Sequence, residues 1–158
     1  MNLAVVVYVT LMMLAFGVGP FLFIQTIVVA VAGGAGFWLF YVQHQFETVL
    51  WTRSESWDFT DAALRGSSYY KLPRLLQWCT GNIGFHHVHH LFPRIPNYHL
   101  EKCHNALPVL QQVPVITLAS SFSTLRLKLW DESSNRLVRF CDVVNVSVKQ
   151  QNATAPIV

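Results

Sequence analysis

From Leu3 to Val42 the chain is almost continuously apolar, and no Lys, Arg, Asp or Glu occurs before Glu47. A membrane span needs ~20 apolar residues. Forty such residues, broken by Gly17-Val18-Gly19-Pro20 and softened by Gly33-Gly34, predict two spans joined as a tight helical hairpin. The first limb, Leu3 to Phe16, is short for a full crossing. A secretory signal peptide is a poor alternative, because there is no basic leading region and the apolar stretch is far too long. A buried hairpin in a soluble core would demand cover for this whole uncharged stretch from a 158-residue chain.

Beyond the hairpin the pattern turns mixed. Trp51 to Phe59 reads as a polar, aromatic loop, and Asp61 to Arg65 as a helical turn closed by Gly66. Lys71 to Cys79 predicts a helix with Pro73 in its first turn, broken by Gly81 to Gly84. A further helix starts after Asn82 as N-cap and stops at Pro93. Asn97 is placed to cap a helix from Tyr98 to Ala106. Thr124 to Trp130 fits a strand period and a helical period equally. The expected class is an all-α membrane protein: a transmembrane hairpin over 1–43, a cytoplasmic helical region over 44–108 and a cytoplasmic tail over 109–158.

Charge sharpens this division. All eleven Lys and Arg residues follow the hairpin, so the positive-inside rule places both termini of a multi-pass integral membrane protein in the cytoplasm. A net charge of +3 is too small and too diffuse for nucleic acid, but suits anionic lipid head groups. Cys79, Cys103 and Cys141 lack C-x-x-C spacing and fit reduced thiols. The sequons at Asn145 and Asn152 are read as chance on a cytoplasmic tail, which is expected to fray after Val146.

The candidate chemistry lies in Gly81-Asn-Ile-Gly-Phe-His-His-Val-His-His-Leu-Phe-Pro93, where four of the seven histidines fall in five positions. His86, His89 and His90 stand at i, i+3 and i+4, so on a helix they share one face while His87 points elsewhere. Neutral imidazole ligates iron, zinc and copper. His44, at the mouth of the second span, is a candidate fourth ligand, since an imidazole at a bilayer boundary needs a reason to be there. His87 and Asn82 are candidates for hydrogen bonding around the ligands. His99, Cys103 and His104 offer a weaker alternative set on an amphipathic helix, where packing and surface exposure explain them as well. Trp51, Trp57, Tyr69, Tyr70 and Trp78 read as interfacial anchors or walls of a lipid-facing cleft.

These residues resemble the membrane-bound fatty acid desaturases. The third histidine box of that family reads H-x-x-H-H, matched by His86, His89 and His90. A further ligand histidine follows the last span in the family, matched by His44 in Tyr-Val-Gln-His. Phe40 to Glu47, Gly66 to Pro73 and Gly81 to Leu91 are similar to segments of the bacterial acyl-lipid branch. The resemblance implies a di-iron centre ligated by His44, His86, His89 and His90, with no catalytic group beyond the metal ligands. It further implies O₂ as co-substrate, a fatty acyl lipid substrate within membrane lipid, a cis double bond as product, and ferredoxin or a small cytochrome as electron donor.

The family's first two boxes have no counterpart here, because no histidine precedes His44. Two irons take about eight to ten ligands, so the chain reads as a C-terminal portion, inactive without the remaining boxes. A related di-iron lipid hydroxylase or ketolase, and a non-catalytic truncated remnant, stand as alternatives. Topology offers a first test. Reporter fusions at the Gly17 to Pro20 turn and at the C-terminus are expected on opposite sides of the membrane, with the C-terminus cytoplasmic. A C-terminus outside the cell would overturn that orientation.

Overall fold

The computed structural model describes residues 2–144; the two sequons and the polar end beyond Val146 lie outside them. The chain divides into two compact units, Met1–Leu39 and Phe40–Val158.

The first unit is helical. α1 runs Asn2–Phe16 and α2 runs Val18–His44, its last turn belonging to the second unit. Only Gly17 separates them. Its φ of +83° is a left-handed conformation that an L side chain rarely adopts, so the helix stops there. The helical backbone resumes at Val18, and Pro20 falls inside the first turn of α2 rather than in a broad Gly-Pro break; that position tolerates proline because no N–H is needed there. α2, with 27 residues, is the one described helix long and apolar enough to cross a membrane by length and composition, whereas α1 has 15. No residue of α1 is buried, and Val5, Leu14, Phe23 and Phe37 all expose their side chains. Apolar surface on this scale marks an interaction with something other than water.

The second unit is built from short pieces: α3 Phe59–Arg65, β1 Tyr69–Lys71, α4 Arg74–Cys79, α5 His86–Leu91, α6 Leu100–Ala106, β2 Val115–Thr117, α7 Leu118–Thr124, β3 Leu129–Asp131 and β4 Arg136–Val138. The chain is therefore mostly helical but not all-α. β1 and β2 pair in parallel, Tyr69 opposite Val115, and β3 and β4 pair antiparallel. Three-residue strands are too short to show a clear alternation, which is why Lys71 read as helical. Pro73 sits at the N-cap of α4 instead. The predicted caps also differ. Asn82 lies in a left-handed turn with φ of +57°, and its Nδ2 donates to the Asn97 carbonyl, leaving Phe85 at the N-cap of α5. Asn97 opens a 3-10 turn, so α6 begins only at Leu100. Asp58, read as part of the preceding loop, caps α3 by accepting from the Asp61 amide, and Gly66 closes the helix as expected.

The core of this unit is Phe85, Val88, Leu100 and Leu110, with Leu64, Tyr69, Leu91, Ile95 and Cys103 packed around it. β1 crosses beside it. The Ser68 amide donates to Gln43 O at 3.1 Å, Tyr69 to Pro114 O at 2.9 Å and Tyr70 to Gly84 O at 2.8 Å. The last of these brings backbone close to backbone at Gly84. A Cβ there would collide with the Tyr70 carbonyl and lie 2.6 Å from Gln77 Oε1. Gly84→Ala is accordingly expected to destabilise the unit by about 1–3 kcal/mol through overpacking. Denaturant unfolding followed by circular dichroism measures this, and unchanged stability would show that the approach is not tight.

Candidate metal centre

His44 occupies the last residue of α2 and His86 and His90 lie on α5, so two distant parts of the chain meet. His90 Nε2 stands 3.1 Å from His44 Nε2 and 3.1 Å from His86 Nε2, and the ligand atoms of all three lie within 4.8 Å of one another. His44 Nδ1 bonds the Phe40 carbonyl at 2.9 Å. A carbonyl only accepts, so Nδ1 carries the proton and the His44 Nε2 lone pair faces the cluster. Three nitrogens around one point cannot satisfy each other with protons alone, since each N–H···N contact needs one lone pair. A cation meets all three lone pairs. With metal–nitrogen bonds of ~2.1 Å, two ligands of one ion stand at most ~4.2 Å apart; the two 3.1 Å pairs meet this, and the trio's outer span of up to 4.8 Å needs a closure of a few tenths of an ångström. The donor set fits a metal ion.

Electrostatics agrees. His86 is buried, and its pKa is pushed down to about 3, first by loss of solvation and then by His90, His44, His89 and His87. His90 is lowered as well, by burial first and then by His44 and His89. Neutral imidazoles at ordinary pH are what a metal requires of its ligands. His86 Nδ1 is buried without a hydrogen-bond partner among the described residues.

A profile of the family described as fatty acid desaturase matches residues 1–115. The chain belongs to the fatty acid desaturase family. A fatty acid desaturase of Bacillus subtilis (strain 168) is 47% identical over 147 residues, covering 93% of this chain and 42% of that protein. A temperature-sensitive sn-2 acyl-lipid omega-3 desaturase (ferredoxin), chloroplastic, of Arabidopsis thaliana is 36% identical over 91 residues, covering 49% of this chain and 20% of that protein. An omega-6 fatty acid desaturase, chloroplastic, of Glycine max is 32% identical over 66 residues, covering 42% of this chain and 16% of that protein. The chain thus spans less than half the length of these relatives. No solved structure matches it.

The other histidines of this desaturase-family chain are placed differently. His89 is half-buried beside the trio, its ring centroid 5.8 Å from that of His86 and 6.0 Å from that of His90, outside the group whose nitrogens converge. His87 is fully buried and turns away from the trio; its Nε2 lies 3.0 Å from His104 Nδ1. Asn82 bonds Asn97 rather than a histidine. His99 faces Tyr98 and does not join His104 and Cys103 in a ligand group among the described residues. The role of His104 was missed because its partner is 17 positions away on another element. The readable signal was a second histidine on an amphipathic helix shortly after the box.

Burial lowers the His87 pKa to about 4, with His104 adding to it and the Leu110 and Ser68 backbone opposing. Both His86 and His87 are thus neutral when folded, while their unfolded counterparts protonate near 6.5. The unfolded chain binds more protons below that value, so stability falls as pH drops from about 6.5 towards 4. Between pH 7 and pH 5, His87→Gln is expected to lose less unfolding free energy than wild type, by on the order of 1–2 kcal/mol. Chemical denaturation in detergent at both pH values checks this; parallel losses in the two proteins would contradict it.

Proposed function

We propose that this chain supplies the C-terminal part of a fatty acid desaturase that introduces a cis double bond into a fatty acyl lipid, using O₂ at a di-iron centre. The observation that carries this reading is the convergence of His44, His86 and His90 in a chain of this family. His89 is proposed as a further ligand, reaching the metals by a small rotation of its side chain from beside the trio. When bound, iron would supply the oxygen and electron chemistry that takes two hydrogens from adjacent methylenes.

The chain's own residues hold and aim. Phe40 O fixes the tautomer of His44, burial keeps His86 neutral, and α5 presents His86 and His90 together. Four histidines do not fill the coordination of two irons, so the remaining ligands are assigned to residues outside these 158. The proposed organisation is a membrane-spanning hairpin over 1–43, a cytoplasmic metal-binding region over 44–108 and a cytoplasmic tail over 109–158. The uncharged first 46 residues support it. Ferredoxin or a small cytochrome is proposed as the electron donor, in line with the word ferredoxin in the Arabidopsis relative's name. The relatives' names are all those of desaturases, which favours desaturation over hydroxylation or ketolation.

A chimera tests this. The N-terminal portion of the Bacillus subtilis relative is joined to these residues and expressed in a host lacking desaturase. New unsaturated acyl chains and bound iron are expected. His44→Ala, His86→Ala and His90→Ala are each expected to reduce both by tenfold or more at equal membrane abundance. Undiminished iron and product in those variants would refute the assignment.

A further inference from the structure

We propose that His87 and His104 are positioning residues: one buried imidazole–imidazole hydrogen bond between them sets the rotation of α5, and with it the aim of His86 and His90. The inference rests on the reading of His86 and His90 as metal ligands.

A ring-nitrogen separation of 3.0 Å joins His87 Nε2 to His104 Nδ1. Such a contact needs one N–H and one lone pair, and both side chains are shielded from water, His87 completely and His104 to within 8%. A hydrogen bond in that setting is costly to lose, because each nitrogen would be left buried and unpaired. His104 is itself held by rings on two sides, with Tyr69 at 4.9 Å and Phe85 at 5.2 Å between centroids. The pair therefore links a ring fixed on α6 to the one box histidine that faces away from the trio.

α5 has only six residues. A helix that short does not hold itself in water and takes its orientation from tertiary contacts. The apolar contacts around it, from Phe85, Val88, Leu100 and Leu110, are non-directional. A hydrogen bond weakens steeply when its angle is lost, so it supplies the rotational constraint that apolar packing lacks. On the helix His86 and His90 lie on the same side of His87, roughly 100° and 60° round the axis. Turning His87 towards α6 turns both of them towards His44.

The test uses the 158-residue chain in detergent micelles and Co²⁺ as the metal probe. Gln mimics the Nε2 position of His87 and Asn the Nδ1 position of His104, whereas Leu fills similar space without a hydrogen bond. His87→Leu and His104→Leu are expected to weaken Co²⁺ binding at least tenfold and to alter its visible absorption bands, while helical content by circular dichroism stays at the wild-type level. His87→Gln and His104→Asn are expected to keep wild-type affinity within about threefold and the wild-type bands. Amide hydrogen exchange across His86 to Leu91, measured without metal, should quicken in the Leu variants and not in the amide variants. Leu variants with wild-type Co²⁺ affinity, bands and exchange would overturn the proposal. So would amide variants as impaired as the Leu variants. Should the wild-type chain take up no Co²⁺, the metal reading falls, and the exchange measurement still decides whether the pair orients α5.

Discussion

Three successive amides, those of Ser68, Tyr69 and Tyr70, donate to Gln43, Pro114 and Gly84. They tie the end of α2, the approach to β2 and the approach to α5 to one short strand. His44 follows Gln43 by one residue, and His86 follows Gly84 by two. The meeting of His44 with the box histidines therefore depends on backbone hydrogen bonds that involve no histidine. Glycine at 84 is what allows this, because the Tyr70 carbonyl occupies the space of a Cβ.

Given that scaffold, the cluster is a set of compatible demands. Burial makes a charged His86 costly, and its neighbours make it costlier. The Phe40 carbonyl takes the one proton of His44 on the side away from the cluster. What remains is a convergence of lone pairs, which protons satisfy poorly and a cation satisfies well. The adjacent His87 is equally neutral for a different reason: it is sealed in the core beside His104. Two neighbouring imidazoles thus share a low proton affinity while facing different partners.

Much of this was legible in the residues. The uncharged first 46 positions announced the apolar helices, and the i, i+4 spacing put His86 and His90 on one face. The Tyr-Val-Gln-His segment drew His44 to the same place. The remainder depended on contacts between elements. His89 shares the helical face by period, yet its ring stands beside the trio whose nitrogens converge. Asn82 has the composition of a cap, but a left-handed turn spends its side chain on Asn97. The pairing of β1 with β2 left no local trace, since parallel strands are joined through intervening structure and not through a readable turn.

That parallel pairing sets an order of assembly. The crossover between Lys71 and Val115 contains α4, α5 and α6, so the histidine helix lies inside the loop that the strands close. Closing it costs entropy that the contacts across it must offset. During synthesis, His44, His86 and His90 are all joined to the chain before Val115 exists to pair with Tyr69. The candidate ligands are thus made early and locked late. Metal capture by a fully ordered site has to wait until the chain has been translated past Thr117.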